Sequence, residues 1–146
     1  MIEVYRLTLA KYAGDLSGEG ARLYGGRWNT RGIPALYAAS SVPLAMLENL
    51  VHVGAPEDLP ESYTVTVIRI EESISHRETE VPARRQDSQS IGSKLLANEN
   101  TLGFWAPSVV VDGEFNIVLN PGCARFLEAV RVVRQYEQRV DRRLGW

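Results

Sequence analysis

Two short features of the sequence bring together residue types with chemical potential: the run Gly25-Gly26-Arg27-Trp28-Asn29, and Glu48. Paired glycines let a ligand approach the main chain, and the adjacent guanidinium can grip a diphosphate through two parallel hydrogen bonds. The run lacks the spacing of a Walker loop or a dinucleotide-binding fingerprint, so neither mechanism is supported. Glu48 falls where Leu44, Leu47 and Val51 recur at helical spacing, which sets its carboxylate beside an apolar stripe. A carboxylate there loses hydration and needs partners. Its commoner fate is to snorkel out or pair with an arginine. The alternative is an acid held ready for a sugar hydroxyl or a developing positive charge.

Other polar residues are individually weaker. Tyr37 sits in a short β-rich run, where its ring can stack on a ligand or simply pack, with its hydroxyl finding a partner. Ser108 has no histidine placed to activate it, so it orients a ligand or the glutamate rather than attacking a substrate. Asn116 and Asn120 can do similar work, or satisfy strand ends and turns. Trp28 is counted as core. His52, His76 and the single cysteine, Cys123, show no ligand spacing, so no metal site is expected.

The elements that must position these residues fit one α+β domain, residues 1–146, built on a mixed β-sheet with short helices. Residues 4–9 read as a first strand, followed by a glycine-rich loop through Gly26. Residues 35–38 form a short strand. Ser40-Ser41 before Val42-Pro43 caps a helix that runs to about His52. Residues 63–70 alternate as the clearest strand. Residues 71–87 read as loop and 88–98 as a helix. Residues 108–111 and 115–119 read as a hairpin around Asp112-Gly113. A short helix follows over residues 123–128, and the stretch from Val130 suits either a helix or a strand.

Composition narrows the function classes. A net charge of −2 argues against a direct nucleic-acid binder. Arg84-Arg85 and Arg142-Arg143 sit close to acids and read as solvated charge. No apolar run is long enough to span a bilayer, and residues 1–6 lack the pattern of a secretory leader. With one cysteine, the expected compartment is the cytoplasm.

Taken in order, these segments resemble the RES-domain family, the toxin halves of RES–Xre toxin–antitoxin pairs. The likeness begins at Val4-Tyr5-Arg6-Leu7 and is sharpest in Gly25 to Asn29 and in Gly32-Ile33-Pro34-Ala35-Leu36-Tyr37-Ala38-Ala39-Ser40. It continues through Leu44 to Glu48, His52, Ile91-Gly92, Pro107 to Val111, Asn116, Asn120-Pro121 and Asp141 to Leu144. That ending favours a strand for the last stretch. Gly122-Cys123 follows Asn120-Pro121 where relatives often carry a histidine, a departure that leaves the central positions intact.

The resemblance implies an ADP-ribosyltransferase-like fold and a toxin that degrades NAD by cleaving its nicotinamide–ribose bond. NAD is then the substrate, with no separate cofactor. Arg27, Tyr37, Glu48 and Ser108 fall on the family's essential positions, and Arg6, Gly26, Arg27, Tyr37, Ser40 and Asn116 on its NAD-binding positions. The implied partner is an Xre-type antitoxin with a helix-turn-helix domain. The ADP-ribosyl group can pass to water, phosphate or a protein acceptor, and a non-catalytic nucleotide-binding module is the reading from a different class.

Overall fold

The computed structural model describes residues 1–145. Its frame is a six-stranded sheet, in the order β4-β5-β2-β1-β3-β6. The strands are β1 (Ile2–Thr8), β2 (Leu36–Ala39), β3 (Ser62–Ile70), β4 (Gly103–Pro107), β5 (Phe115–Leu119) and β6 (Val130–Arg139). The helices are α1 (Glu19–Tyr24), α2 (Val42–Leu50), α3 (Arg85–Leu96) and α4 (Phe126–Ala129). The single α+β domain is as expected, but every strand pair is antiparallel rather than mixed. Parallel pairing is confined to an isolated bridge from Arg77 to Trp105. Among the described residues, no helix is long and apolar enough to cross a membrane.

The residues of β3 suit an interior strand, flanked by β1 and the edge strand β6. Tyr63, Val65 and Val67 face one side and Ile68 and Ile70 the other, and all are buried. On the first side Val65 and Val67 pack with Leu7, Ala39 and, from α2, Leu44 and Ala45. Farther along that side, Trp28 packs with Phe104, Ala106, Val118 and Leu96 of α3. The opposite side packs Val4, Leu36, Ile68, Ile117 and Leu119 against Cys123, Phe126 and Ala129.

The joint between β1 and β2 is narrow. Tyr5 and Ala39 are its one registered pair, whereas β1 pairs with β3 along its whole length. The first side of the sheet is therefore covered in two blocks, α2 on one and the Trp28 segment with α3 on the other. The gap between those blocks lies over the weak joint.

Four local expectations change. The glycine-rich stretch contains α1, which begins after Gly18 in the left-handed region at φ 73°. A Cβ at Gly18 would also stand 2.8 Å from the Ala35 nitrogen, so glycine meets both constraints there. Residues 108–111 are not a strand. Pro107 ends β4, and Ser108 Oγ accepts the N–H groups of Val110 and Val111, folding the chain away from the ladder. The Asp-Gly turn keeps its expected strain-free glycine, Gly113 at φ 83°, within a longer connection. Helix α3 starts three residues before Ser88, and the ambiguous last stretch is the edge strand β6. Finally, Leu47 and Val51 are 40% and 58% exposed, so the inward face of α2 is Leu44 and Ala45, with Glu48 a turn farther on.

Candidate active site

A cavity of about 460 Å³ occupies the gap between α2 and the Trp28 segment, within the roughly 300–1,000 Å³ range of small-molecule sites. Tyr5, Leu7, Tyr37, Ala39, Asn116 and Val118 form its floor. Alternation along β1 and β2 puts Arg6 and Ala38 on the other side of the sheet, yet both also line the cavity. The cavity therefore reaches into the weak β1–β2 joint.

Ser41 starts the helix that supplies the acid, its hydroxyl accepting the Leu44 N–H at 3.2 Å, with Pro43 in the first turn. Glu48 hangs from this helix toward β5. Its Oε1 accepts from Ser108 Oγ at 2.5 Å and from Asn116 Nδ2 at 2.9 Å. Ser108 is itself buried and its oxygen is held by two main-chain N–H groups, so its geometry is set from behind. One carboxylate oxygen is thus anchored. Oε2 takes no hydrogen bond from the described residues and is the oxygen left for a ligand.

The opposite wall is the glycine–arginine segment. Asn29 is fully buried and ties it down, its Nδ2 donating to Ala21 O and Ile33 O at 2.8 and 2.9 Å. Tyr37 donates its hydroxyl proton to Asn29 Oδ1 over 2.7 Å and accepts the Trp28 N–H at 3.0 Å. Burial pushes the Tyr37 phenol up to about 12, against the opposing pull of the Trp28 N–H and the Arg85 and Arg27 charges. The phenol is therefore neutral at ordinary pH, with its ring on the cavity and its hydroxyl occupied. Gly26 lies under that hydroxyl. A Cβ there would stand 2.6 Å from Asn29 Oδ1 and 2.7 Å from the Tyr37 oxygen, so this glycine answers a close approach.

Three arginines contribute to the cavity lining: Arg6, whose side chain starts from the far side of the sheet, and Arg27 and Arg85. Arg6 donates to Tyr12 O at 3.3 Å; burial lowers its pKa, with the Asp15 charge opposing. Arg27 and Arg85 belong to none of the ion pairs among the described residues. Glu48 is the one carboxylate on the cavity wall, so the field there favours an anion held beside a single acid.

Of the residues singled out by sequence, Arg6, Gly26, Arg27, Tyr37, Glu48 and Asn116 line this one cavity. Ser108 stands behind Glu48 rather than on the wall. Ser40 is not on the wall either; its N–H donates to Phe115 O at 3.3 Å, inside the sheet joint. Asn120 is buried elsewhere, bonded to Asn98 O and Thr101 O. Arg84 and Arg85 are both exposed, as expected of solvated charge; Arg84 pairs with Asp87, whereas Arg85 also reaches the cavity. His52, in the turn just after α2, also reaches the cavity.

Known proteins resemble this chain over most of its length. Residues 3–141 match the family described as RES domain. The chain belongs to the RES-domain family. It is 38% identical to "Toxin Res" of Photorhabdus laumondii, over 97% of this chain and 96% of that protein. A "Prs ADP-ribosylating toxin" of Sphingobium sp. is 35% identical, over 75% of this chain and 74% of its own. The fold matches a chain in the crystal structure of the M. tuberculosis MbcT–MbcA toxin–antitoxin complex. That match has a TM-score of 0.74 at 21% identity and covers 94% of this chain and 84% of the other. The RES domain here thus fills nearly the whole chain, with the cavity at its centre.

Proposed function

We propose that this RES-domain chain is a toxin that binds NAD in the cavity and breaks its nicotinamide–ribose bond. The observation that carries the reading is the pairing of an anchored carboxylate, Glu48, with unpaired guanidinium groups across one ligand-sized cavity. Breaking the bond sends its electron pair to the pyridinium nitrogen, releasing neutral nicotinamide and leaving oxocarbenium character on the ribose. Glu48 Oε2 is the group placed to hydrogen-bond a ribose hydroxyl and stabilise that charge. Fixing Oε1 through Ser108 and Asn116 means the acid does not reorganise as charge develops. Arg27 and Arg6, joined by Arg85, hold the diphosphate, and the Tyr37 ring packs against nicotinamide.

The released ADP-ribosyl group passes to water or phosphate in this reading. Transfer to a protein is a second reading, supported by the relative named as an ADP-ribosylating toxin. The proposed restraint is an Xre-type antitoxin with a helix-turn-helix domain; the fold neighbour crystallised with an antitoxin supports an inhibitor partner. The proposed site of action is the cytoplasmic NAD pool.

The test is purified protein incubated with NAD while free nicotinamide is followed by chromatography. Wild type should release nicotinamide, and Glu48→Gln and Arg27→Ala should each lose at least about a hundredfold in rate. Absence of nicotinamide release by wild type, or full activity of Glu48→Gln, would overturn the reading. Labelled NAD added to a lysate separates the acceptors: a labelled protein band points to transfer, and free ADP-ribose or its phosphate ester to the first reading.

A further inference from the structure

Helix α3 is attached to the glycine–arginine segment at successive points. Gln89 Nε2 donates to the Gly26 carbonyl over 2.9 Å, and Ser88 Oγ donates to the Arg27 carbonyl over 2.6 Å. One turn on, Gly92 lies against Trp28 so closely that a Cβ would stand 1.8 Å from the Trp28 carbonyl oxygen. Ser93 Oγ then accepts the Thr30 N–H at 3.1 Å. Neither Ser88 nor Gln89 lines the cavity, whereas Gly26 and Arg27 do. The two carbonyls are therefore held from outside the cavity.

A trans peptide points its C=O and its N–H in opposite directions. The peptide whose carbonyl Ser88 holds behaves this way: its N–H, that of Trp28, reaches the Tyr37 hydroxyl on the cavity floor at 3.0 Å. The preceding peptide is held in the same manner by Gln89. Its N–H, that of Arg27, has no hydrogen-bond partner among the described residues. This half-buried donor, free of any protein acceptor, belongs to a residue on the wall of a cation-rich cavity, where a ligand oxygen can take the place of solvent.

We propose that Gln89 is a positioning residue that presents the main-chain N–H of Arg27 to an oxygen of the substrate's diphosphate. This rests on the NAD reading above. Arg27 then donates twice, through its guanidinium and through its amide, and Gln89 fixes the angle of the second bond. Ser88, Gly92 and Ser93 already dock α3 on the segment, so the Gln89 bond has a role separate from docking. The amide contact is made alike before and during bond cleavage, so its loss acts on binding rather than on the chemical step.

Two measurements test this. In the first, the backbone amide resonances of the protein are followed while ADP or ADP-ribose is titrated in. The Arg27 amide should move strongly downfield in wild type and much less in Gln89→Met, which keeps the side-chain length and lacks the donor. In the second, KM for NAD should rise about tenfold in Gln89→Met with kcat within about twofold of wild type. Gln89→Lys, which restores an N–H donor, should recover most of that loss. An Arg27 amide that stays still while other cavity resonances move overturns this inference alone, as does an unchanged KM in Gln89→Met. If no cavity resonance moves and no nicotinamide is released by wild type, the NAD reading falls and takes this one with it.

Discussion

Tyr37→Phe removes one oxygen from a fully described setting, and its consequence can be worked out. The hydroxyl accepts the Trp28 N–H and donates to Asn29 Oδ1, and both Trp28 and Asn29 are buried. Without it, a buried donor and a buried acceptor lose their partner, at about 1–3 kcal/mol for each group left wholly unsatisfied. Asn29 keeps its three carbonyl contacts through Nδ2, so we take about 2 kcal/mol for the pair. For a domain of this size that lowers the melting temperature by roughly 4–8 °C. The pH dependence provides a second signature. The folded phenol titrates at about 12, above the roughly 10 of an unfolded tyrosine, so its contribution is complete below about pH 10 and is lost as the pH rises through 12. At about pH 11 the loss already exceeds about 1 kcal/mol. Melting curves of wild type and Tyr37→Phe at neutral pH and at about pH 11 read both effects, the other tyrosines cancelling in the difference. Equal melting temperatures at neutral pH, or a gap that stays constant into the alkaline range, would refute the reasoning.

Other substitutions probe the remaining parts of the site. Gly92→Ala forces a methyl into the Trp28 carbonyl and should destabilise the fold by about 3 kcal/mol, seen as a lower melting temperature or loss of soluble protein. Asn116→Asp puts a second carboxylate beside Glu48 Oε1 and should lower the rate of nicotinamide release at least about tenfold, with little change in melting. Ser108→Ala leaves the Val110 and Val111 N–H groups without their acceptor as well as freeing Glu48, so both activity and melting temperature should fall. Arg85→Ala should raise KM about threefold to tenfold at low salt, and less at high salt, because this exposed cation acts through a screened field.

Much of this arrangement was legible in the residues, and the failures have physical causes. The helix carrying Glu48 was marked by its serine cap and proline, and β3 by strict alternation. Helix α1 was obscured because Gly18 and Gly20 flank and enter it; its start depends on Gly18 in a left-handed conformation against Ala35, a tertiary contact. Residues 108–111 have the β-branched content of a strand, but the Ser108 hydroxyl competes for the main-chain N–H groups the ladder would need. Local pattern set Leu47 and Val51 inward, whereas α2 lies over the sheet through Leu44 and Ala45. Arg85 and Gln89 had no local signal. Their place depends on where α3 docks, and that is decided by contacts some sixty residues apart in the chain, such as Ser88 with Arg27.

The single registered pair between β1 and β2 has a dynamic consequence. It divides the sheet into two leaves, β4-β5-β2 and β1-β3-β6, each laced by longer ladders of its own, with one register shift between β3 and β6. Helix α2 touches both leaves, through Leu7 on one and Ala39 on the other, and acts as the staple across the seam. Amide protons inside each leaf are sheltered until that leaf unfolds, whereas those lining the seam need only a small parting of the leaves to meet solvent. In deuterium exchange the seam should therefore form a fast-exchanging line through an otherwise slow sheet. A ligand that spans it, in contact with Tyr5 on one leaf and packed on the Tyr37 ring of the other, would slow that line to the rate of its surroundings.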